Sequence, residues 1–164
     1  MEHDQKLVLI DGHALIHRAF HAIQNPLTVS TTGQDVRAVF GFTNAFLKCI
    51  EEINPSHIVV TFDLPQPTFR HQLFTEYKAH RKPSPPELRS QFDVVRNLMH
   101  EFQVPIFELE GYEADDLLGT LCTQAEKFGI KSIILTGDSD TLQLVTPNVQ
   151  VMMNSGTQKQ TTYD

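Results

Sequence analysis

Short apolar runs alternate along the chain with longer stretches in which apolar residues recur every three or four positions. The short runs predict buried strands at residues 6–10, 56–62, 104–109, 131–136 and 148–153. The longer stretches predict amphipathic helices at residues 35–53, 86–102 and 113–129, and a short helix at 140–145. Because strands that alternate with helices favour parallel pairing, we expect an α/β fold with an open, mainly parallel sheet of about five strands and flanking helices.

Two stretches depart from this pattern. Residues 64–86, "LPQPTFRHQLFTEYKAHRKPSPP", form a long connection between a strand and a helix, with prolines near both ends. Connections of this length are usually functional or mobile, and the absence of an apolar period predicts few packing contacts for residues 66–85. The polar tail "NSGTQKQTTYD" predicts a hairpin or a frayed end.

The long connection is net positive within an acidic protein. Between residues 66 and 89 the cations are Arg70, Lys78, Arg81, Lys82 and Arg89, against only Glu76 and Glu87, and they are interleaved with Phe69, Phe74 and Tyr77. Cations that contact phosphates and aromatics that stack on bases are typical of proteins that bind single strands. The alternative is a solvated loop in which Phe69 and Phe74 pack into the core.

The bulk composition narrows the class of protein. The chain has 164 residues, of which 40% are hydrophobic, enough for one compact domain or slightly more. Its apolar runs are too short for a signal peptide or a membrane span. Cys49 and Cys122 lie in apolar helical patterns, which fits buried thiols in a reducing cytoplasm. A net charge of −7 argues against indiscriminate binding to nucleic acid or to an anionic membrane.

Carboxylates follow four of the predicted strands. In an open α/β sheet, these strand ends meet at the edge where binding sites form. Helix-dipole capping explains acidic residues in the first turn of a helix, but it does not explain Asp11 and Asp63, which directly follow apolar strands. Seven like charges at one edge must be partly protonated or hold cations, and divalent cations with oxygen ligands are a frequent device for phosphodiester cleavage. The seven are Asp11, Asp63, Glu113, Asp115, Asp116, Asp138 and Asp140.

Histidines also lie near the predicted cluster. His13 and His17 are spaced like a zinc-binding pair, but the surrounding oxygen ligands favour Mg²⁺ or Mn²⁺. We expect His71 and His80 to be either auxiliary phosphate contacts or solvated side chains.

Five blocks of sequence together resemble a known family. They are "LIDGHALIHRAFHA", "AVFGFTNAFLK", "TFDLPQPTFRHQLFTEYKAHR", "GYEADDLLGTL" and "ILTGDSDTLQLV", and they span most of residues 7–146. In order and spacing they resemble the N-terminal 5′-nuclease domains of bacterial DNA polymerases I, which are related to the flap endonucleases. The resemblance implies a PIN-like α/β fold and a divalent-metal-dependent 5′-3′ exonuclease or flap endonuclease that hydrolyses DNA in replication and repair.

The resemblance also implies site residues. In the family, two ions of Mg²⁺ or Mn²⁺ are expected; the first matches Asp11, Asp63, Glu113 and Asp115, with Asp116 close by. The second matches Asp138 and Asp140, together with two aspartates that would lie beyond residue 164. Lys78 and Arg81 match the cations that act on the phosphate during catalysis and bind DNA, and Arg18, Arg70 and Tyr77 match further DNA-binding positions.

The same resemblance sets expectations for organisation and partners. Residues 1–164 would form the N-terminal part of the nuclease, with an arch segment at residues 64–88 and without the helix–hairpin–helix part that grips duplex DNA. We expect DNA with 5′ ends, flaps or branches as substrate, a polymerase domain in the full-length protein, no membrane association, and a place in the bacterial cytoplasm at the nucleoid. Two alternatives stay open: a PIN-type ribonuclease, and a DNA-binding fragment with weak catalysis.

Overall fold

A computed structural model describes residues 5–155 and 160–164. In chain order its elements are β1 (Lys6–Asp11), α1 (Gly12–Ala22), α2 (Arg37–Ile53), β2 (His57–Thr61), α3 (Phe69–Leu73), α4 (Pro86–Glu101), β3 (Ile106–Phe107), α5 (Ala114–Lys127), β4 (Lys131–Thr136), a 3-10 helix (Ser139–Leu144), β5 (Val149–Asn154) and β6 (Gln160–Tyr163). Among the described helices, none is long and apolar enough to cross a bilayer.

The sheet is open and mainly parallel, as predicted. Its six strands lie in the order β3-β2-β1-β4-β5-β6. The first five strands pair in parallel, and β6 runs antiparallel to β5. The polar tail therefore supplies the strand that the count of about five omitted, in agreement with the hairpin alternative. The predicted tail also includes residues 156–159, which lie outside the described residues.

The central strand is covered on both faces. Val8 and Ile10 of β1 lie in a core cluster with residues of α1, α2 and α4. Leu9, which points the other way, packs in a second cluster with Leu118 and Cys122 of α5. A strand buried on both faces needs apolar residues at successive positions, which explains the uninterrupted run "LVLI".

Two predictions at the level of elements need correction. The strand predicted at 104–109 pairs only through Ile106 and Phe107, because it is an edge strand and Pro105 has no N–H to donate. The connection between β2 and α4 contains the short helix α3, whose five residues are too few to show a helical period. Cys49 and Cys122 are free and buried, as expected.

A glycine lets the start of α1 lie directly against the end of β2. A Cβ atom on Gly12 would lie 2.6 Å from Phe62 Cε1 and 2.9 Å from the Thr61 carbonyl oxygen. Only a residue without a side chain fits there. As a result α1 begins immediately after Asp11, and the carboxylate of Asp11 stays at the end of β1.

Candidate metal centre and its basic cover

A cavity of about 220 Å³ lies at the carboxyl edge of the sheet. Six of the seven predicted carboxylates line it, together with two cations of the arch segment. The acids are Asp11, Asp63, Glu113, Asp115, Asp138 and Asp140, and the cations are Lys78 and Arg81. The structure therefore brings together acids that follow β1, β2 and β4 and acids that begin α5.

Asp11 is the most deeply buried of these acids, with 2% of its surface exposed. Its carboxylate accepts hydrogen bonds from Thr136 Oγ1 at 2.8 Å and from the Ala14 amide at 3.1 Å. Burial nevertheless raises the pKa of Asp11 to about 7, because these two hydrogen bonds only partly replace the lost water. Without a cation, the group carries only part of a negative charge at neutral pH.

Asp63 follows β2, and Asp115 lies in the first turn of α5, which contacts Asp63. Asp63 Oδ1 accepts a hydrogen bond from the backbone amide of Ala114, the first residue of α5, at 2.7 Å. Burial, together with the negative charges of Asp138, Asp63 and Glu113, raises the pKa of Asp115 to about 6. This mutual repulsion shows that the carboxylates share one electrostatic environment that favours a cation.

Glu113, immediately before α5, is held by three groups of the arch segment. Lys78 Nζ forms an ion pair with Glu113 Oε1, the Tyr77 hydroxyl donates to Oε2 at 3.0 Å, and Arg70 Nη1 lies 3.0 Å from Oε2. Burial alone would raise the pKa of Glu113, but the hydrogen bond and charge of Lys78 outweigh burial and lower it. The same contact raises the pKa of Lys78, against the opposing effect of its burial.

Asp116 lies outside the cavity that holds the other six acids. Its two oxygens accept hydrogen bonds from Arg70 Nη1 and Nη2, both at 2.7 Å. Oδ2 also accepts a hydrogen bond from the backbone amide of Glu113 at 3.0 Å. The hydrogen bond from Arg70 lowers the pKa of Asp116. In this structure Asp116 therefore caps a helix and pairs with the arch segment, as helix-dipole chemistry would suggest.

The carboxylates of the cavity do not converge on a single point. Within residues 5–155 and 160–164, no three His, Cys, Asp or Glu side chains stand close enough to hold an ion as they are. Their chemistry nevertheless fits a hard divalent cation, because the acids are oxygen donors and two of them have raised pKa values.

The arch segment contacts this acid cluster through its middle turns. Lys78 has a left-handed backbone with φ 55°, which is strained for a residue with a side chain. Phe69 and Phe74 are 36% and 58% exposed, so neither packs in the core as the solvated-loop alternative required. Arg70 lies over the ring of Phe69, with Cζ 4.6 Å from its centroid. Aromatic and cationic side chains are thus presented together at the surface.

Two histidines line the cavity in the neutral state. Burial lowers the pKa of His13, and burial with the charge of His13 lowers the pKa of His17 to about 4. Their ring centroids are 4.8 Å apart. They are therefore uncharged walls of the cavity at neutral pH.

Arg18 is not brought to the cavity. Its side-chain stem packs against Gly137, where a Cβ would lie 2.7 Å from Arg18 Cβ, and its Nη2 donates to the Ser155 carbonyl at 3.3 Å. Thr136, by contrast, belongs to the site although the sequence analysis did not select it. The available signal was its position, because it ends β4 beside Asp11 in a buried strand.

Comparison with known sequences identifies the family. The family model described as the 5′-3′ exonuclease N-terminal resolvase-like domain matches residues 6–164. DNA polymerase I of Bacillus caldotenax is 45% identical over 147 residues, which are 90% of this chain and 16% of that protein. DNA polymerase I of Chloroflexus aurantiacus is 46% identical over 147 residues, with the same coverage of 90% and 16%. The chain thus spans about a sixth of the length of these relatives.

Solved structures show the same fold. A T5 5′-exonuclease with bound zinc ions has a TM-score of 0.69 at 18% identity, and the match covers 97% of this chain and 58% of that one. The T5 D15 flap endonuclease in a pseudo-enzyme-product complex with DNA and metal ions has a TM-score of 0.63 at 17% identity, covering 91% and 55%. These matches confirm the predicted PIN-like fold. The match of the family model to residues 6–164 establishes that the chain belongs to the 5′-3′ exonuclease N-terminal resolvase-like domains, a nuclease family.

Proposed function

We propose that the chain is the metal-binding part of a 5′ nuclease that hydrolyses phosphodiester bonds in DNA with 5′ ends, flaps or branches. The observation that carries the proposal is the single cavity that six carboxylates and the cations Lys78 and Arg81 line together. Acids suited to divalent cations and bases suited to phosphate are the two components that phosphodiester hydrolysis needs. The relatives named DNA polymerase I support a place at the N-terminus of such a polymerase.

Two groups of acids would hold the cations. Asp11, Asp63, Asp115 and a released Glu113 would hold the first Mg²⁺ or Mn²⁺, and Asp138 and Asp140 would contribute to a second. When bound, such ions activate water as the nucleophile and stabilise charge on the attacking and leaving oxygens. Asp116 would act indirectly, by holding Glu113 and Arg70 in position.

The basic residues of the arch segment would bind the substrate. Lys78 and Arg81 would contact the phosphate next to the scissile bond and offset charge that develops on its oxygens. Since Lys78 is paired with Glu113, binding of the cation and of the substrate would separate this pair. Glu113 would turn to the metal, and Lys78 would turn to the phosphate. Tyr77 and Arg70 would provide further contacts with DNA.

A matched pair of substitutions tests the proposal. Asp115→Asn should abolish Mn²⁺-dependent cleavage of a 5′-flap DNA under single-turnover conditions with excess protein, while DNA binding is retained or improves. Asp93→Asn, an exposed acid on α4, is the control and should cleave at the parental rate. Parental cleavage by Asp115→Asn would contradict a carboxylate-metal mechanism. Preferential cleavage of single-stranded RNA would identify a PIN-type ribonuclease instead.

A further inference from the structure

A second cavity lies away from the acid cluster, between α1, α2 and the β5–β6 pair. Its volume is about 110 Å³. An engineered protein cavity of about 150 Å³ is known to bind benzene, so this smaller cavity has room for no more than a single six-membered ring. Ala19, Ala22, Gly41 and Ala45 form much of its lining, and the half-exposed ring of Phe40 forms one wall.

The cavity exists because the two helices are lined with small residues at their closest approach. A Cβ atom on Gly41 would lie 2.8 Å from Ala19 Cβ, so α1 and α2 pack too closely for a side chain there. The same small residues leave space beside Phe40 that no side chain of the described residues fills. A flat ring could enter this space and lie against the phenyl ring, an arrangement that base–aromatic contacts adopt regardless of the identity of the base.

The rim of the cavity carries amide groups. Asn44, Asn154 and Gln160 contribute to the lining. The Gln160 side-chain oxygen is buried and has no hydrogen-bond partner within the described part of the chain. An unsatisfied amide of this kind can turn toward a ligand without losing a hydrogen bond in the protein. Amide donors and acceptors match the edge of a nucleobase better than they match an aliphatic side chain.

Two cations complete the rim, and one of them connects this cavity with the acid cluster. Lys48 pairs with Glu52 only at 3.7 Å on an exposed helix surface, a weak contact. Arg18 packs against Gly137, the residue before Asp138 of the acid cavity. Arg18 follows Asp11 by seven positions on α1, a rise of about 10 Å, which corresponds to about three nucleotides of a B-form strand. The second cavity therefore lies within the length of a few nucleotides of the acid cluster.

We propose that this second cavity binds an unpaired nucleobase of the DNA, with Phe40 stacked on the base and Arg18 and Lys48 on the flanking phosphates. The proposal rests on the proposed function for its ligand class, and it gives Arg18 a contact that the acid cavity does not. The combination of a ring-sized apolar space, amide edges and two cations distinguishes a nucleotide from an apolar protein side chain, which would use only the first of these.

The test uses free ligands, so that it does not depend on cleavage. The 164-residue protein in EDTA is titrated with 2′-deoxycytidine 5′-monophosphate, whose base is a single ring, and, separately, with 2-deoxyribose 5-phosphate, and backbone amide NMR shifts are followed. We expect saturable shifts at Ala19, Gly41 and Asn44 with the nucleotide and none there with the sugar phosphate. Phe40→Ala should weaken nucleotide affinity about fivefold or more. Phe128→Ala, which removes an aromatic residue 80% exposed elsewhere on the surface, should leave it unchanged.

Other results would overturn the proposal in identifiable ways. Equal shifts with both ligands would show an anion site without base recognition. Shifts with indole but not with the nucleotide would show a site for an apolar side chain of a protein partner. If the nucleotide fails to shift these amides while the parent protein cleaves flap DNA, the second cavity is not a base site and the proposed function stands. If the nucleotide binds as expected but no cleavage occurs with metal, the proposed function fails instead.

Discussion

At the scale of single residues, the acid cluster contains two carboxyl groups, Asp11 and Asp115, whose ionisation the fold opposes. Burial raises the pKa of Asp11 to about 7 and, with neighbouring charges, that of Asp115 to about 6. A carboxyl group with a raised pKa binds protons more tightly in the folded protein than in the unfolded one. Its contribution to stability is complete below about pH 4 and is lost as the pH rises through the folded pKa.

The metal-free protein should therefore become less stable between pH 5 and pH 8. Asp115→Asn removes part of this dependence, so the variant should be more stable than the parent at pH 8 by no more than about 3 kcal/mol, the equivalent of a shift of this size. Urea unfolding in EDTA at the two pH values measures the effect. A variant less stable than the parent at pH 8 would contradict the repulsion inferred at this site. Asp93→Asn serves as the control.

Thr136 offers a second prediction at this scale. Its hydroxyl donates a hydrogen bond to Asp11 and accepts one from the backbone amide of Asp138 at 3.0 Å. Thr136→Val keeps the shape but leaves both partners without this hydrogen bond, so the free energy of unfolding should fall by about 1–3 kcal/mol. Thr136→Ser keeps the hydroxyl and should retain most of the stability. Equal losses in the two variants would show that the methyl group, and not the hydrogen bond, matters.

At the scale of elements, the arch segment and α5 are joined by ion pairs where the sequence predicted few contacts. Arg70 holds Asp116, and Lys78 holds Glu113. These contacts link residues 46 and 35 positions apart. No local pattern reveals which cation of a basic loop will meet which acid, because the pairing is set by where the strands place the two segments.

A divalent cation should compete with Lys78 for Glu113. Lys78→Ala should therefore raise the affinity for Mn²⁺ about tenfold in calorimetric titration, the equivalent of one lost charge-assisted hydrogen bond. Lys82→Ala is the matched control, because Lys82 is exposed and belongs to the same segment. Unchanged Mn²⁺ affinity in Lys78→Ala would show that the ion pair does not oppose metal binding. In the parent, hydrogen exchange at residues 70–78 should accelerate when Mn²⁺ is added.

Other elements followed more directly from the sequence. The apolar runs at 6–10 and 131–136 correspond to the central strands β1 and β4. A strand that is buried on both faces needs apolar residues at successive positions, so its composition alone predicts it. β6 was not among the predicted strands, because "QTTY" is a polar edge strand. The acids after β1 and β2 could be placed in one site since parallel strands end at the same edge. Asp116 could not be distinguished from its neighbours, because Asp115 and Asp116 are consecutive and only about 100° of rotation around α5 separates the cavity side from the Arg70 side.

At the scale of the whole molecule, the proposed function requires an acidic protein to bind an anionic polymer. The net charge is −7, and six acids line the cavity beneath the arch segment. Cations bound there would reduce repulsion between the protein and DNA as well as among the carboxylates. Mn²⁺ should therefore raise the melting temperature of the parent, since a ligand that binds only the folded state stabilises it. A smaller increase is expected in Asp115→Asn, and an unchanged melting temperature at millimolar Mn²⁺ would count against a metal site.

Binding of DNA should separate the roles of acids and bases. Lys78→Ala and Arg81→Ala should each weaken binding of flap DNA and reduce the slope of log affinity against log salt concentration by about one. Asp115→Asn should bind as well as the parent or better, because it removes a negative charge. Fluorescence anisotropy in Ca²⁺ at several salt concentrations provides the measurement. A slope that stays parental in both basic variants would show that neither cation contacts a phosphate.

The central position of β1 has a consequence for the order in which the protein is made. β1 can pair with β2 once residues near 61 have been synthesised, but its other partner, β4, ends at residue 136. The hydrogen bond from Thr136 to Asp11 joins residues 125 positions apart. At a synthesis rate of about 5–20 residues per second, β1 leaves the ribosome about 6–25 s before β4. Throughout that interval, one edge of β1 is unpaired and the acids that follow β4 have not been synthesised. The nascent chain must therefore stay soluble before the acid cluster is complete.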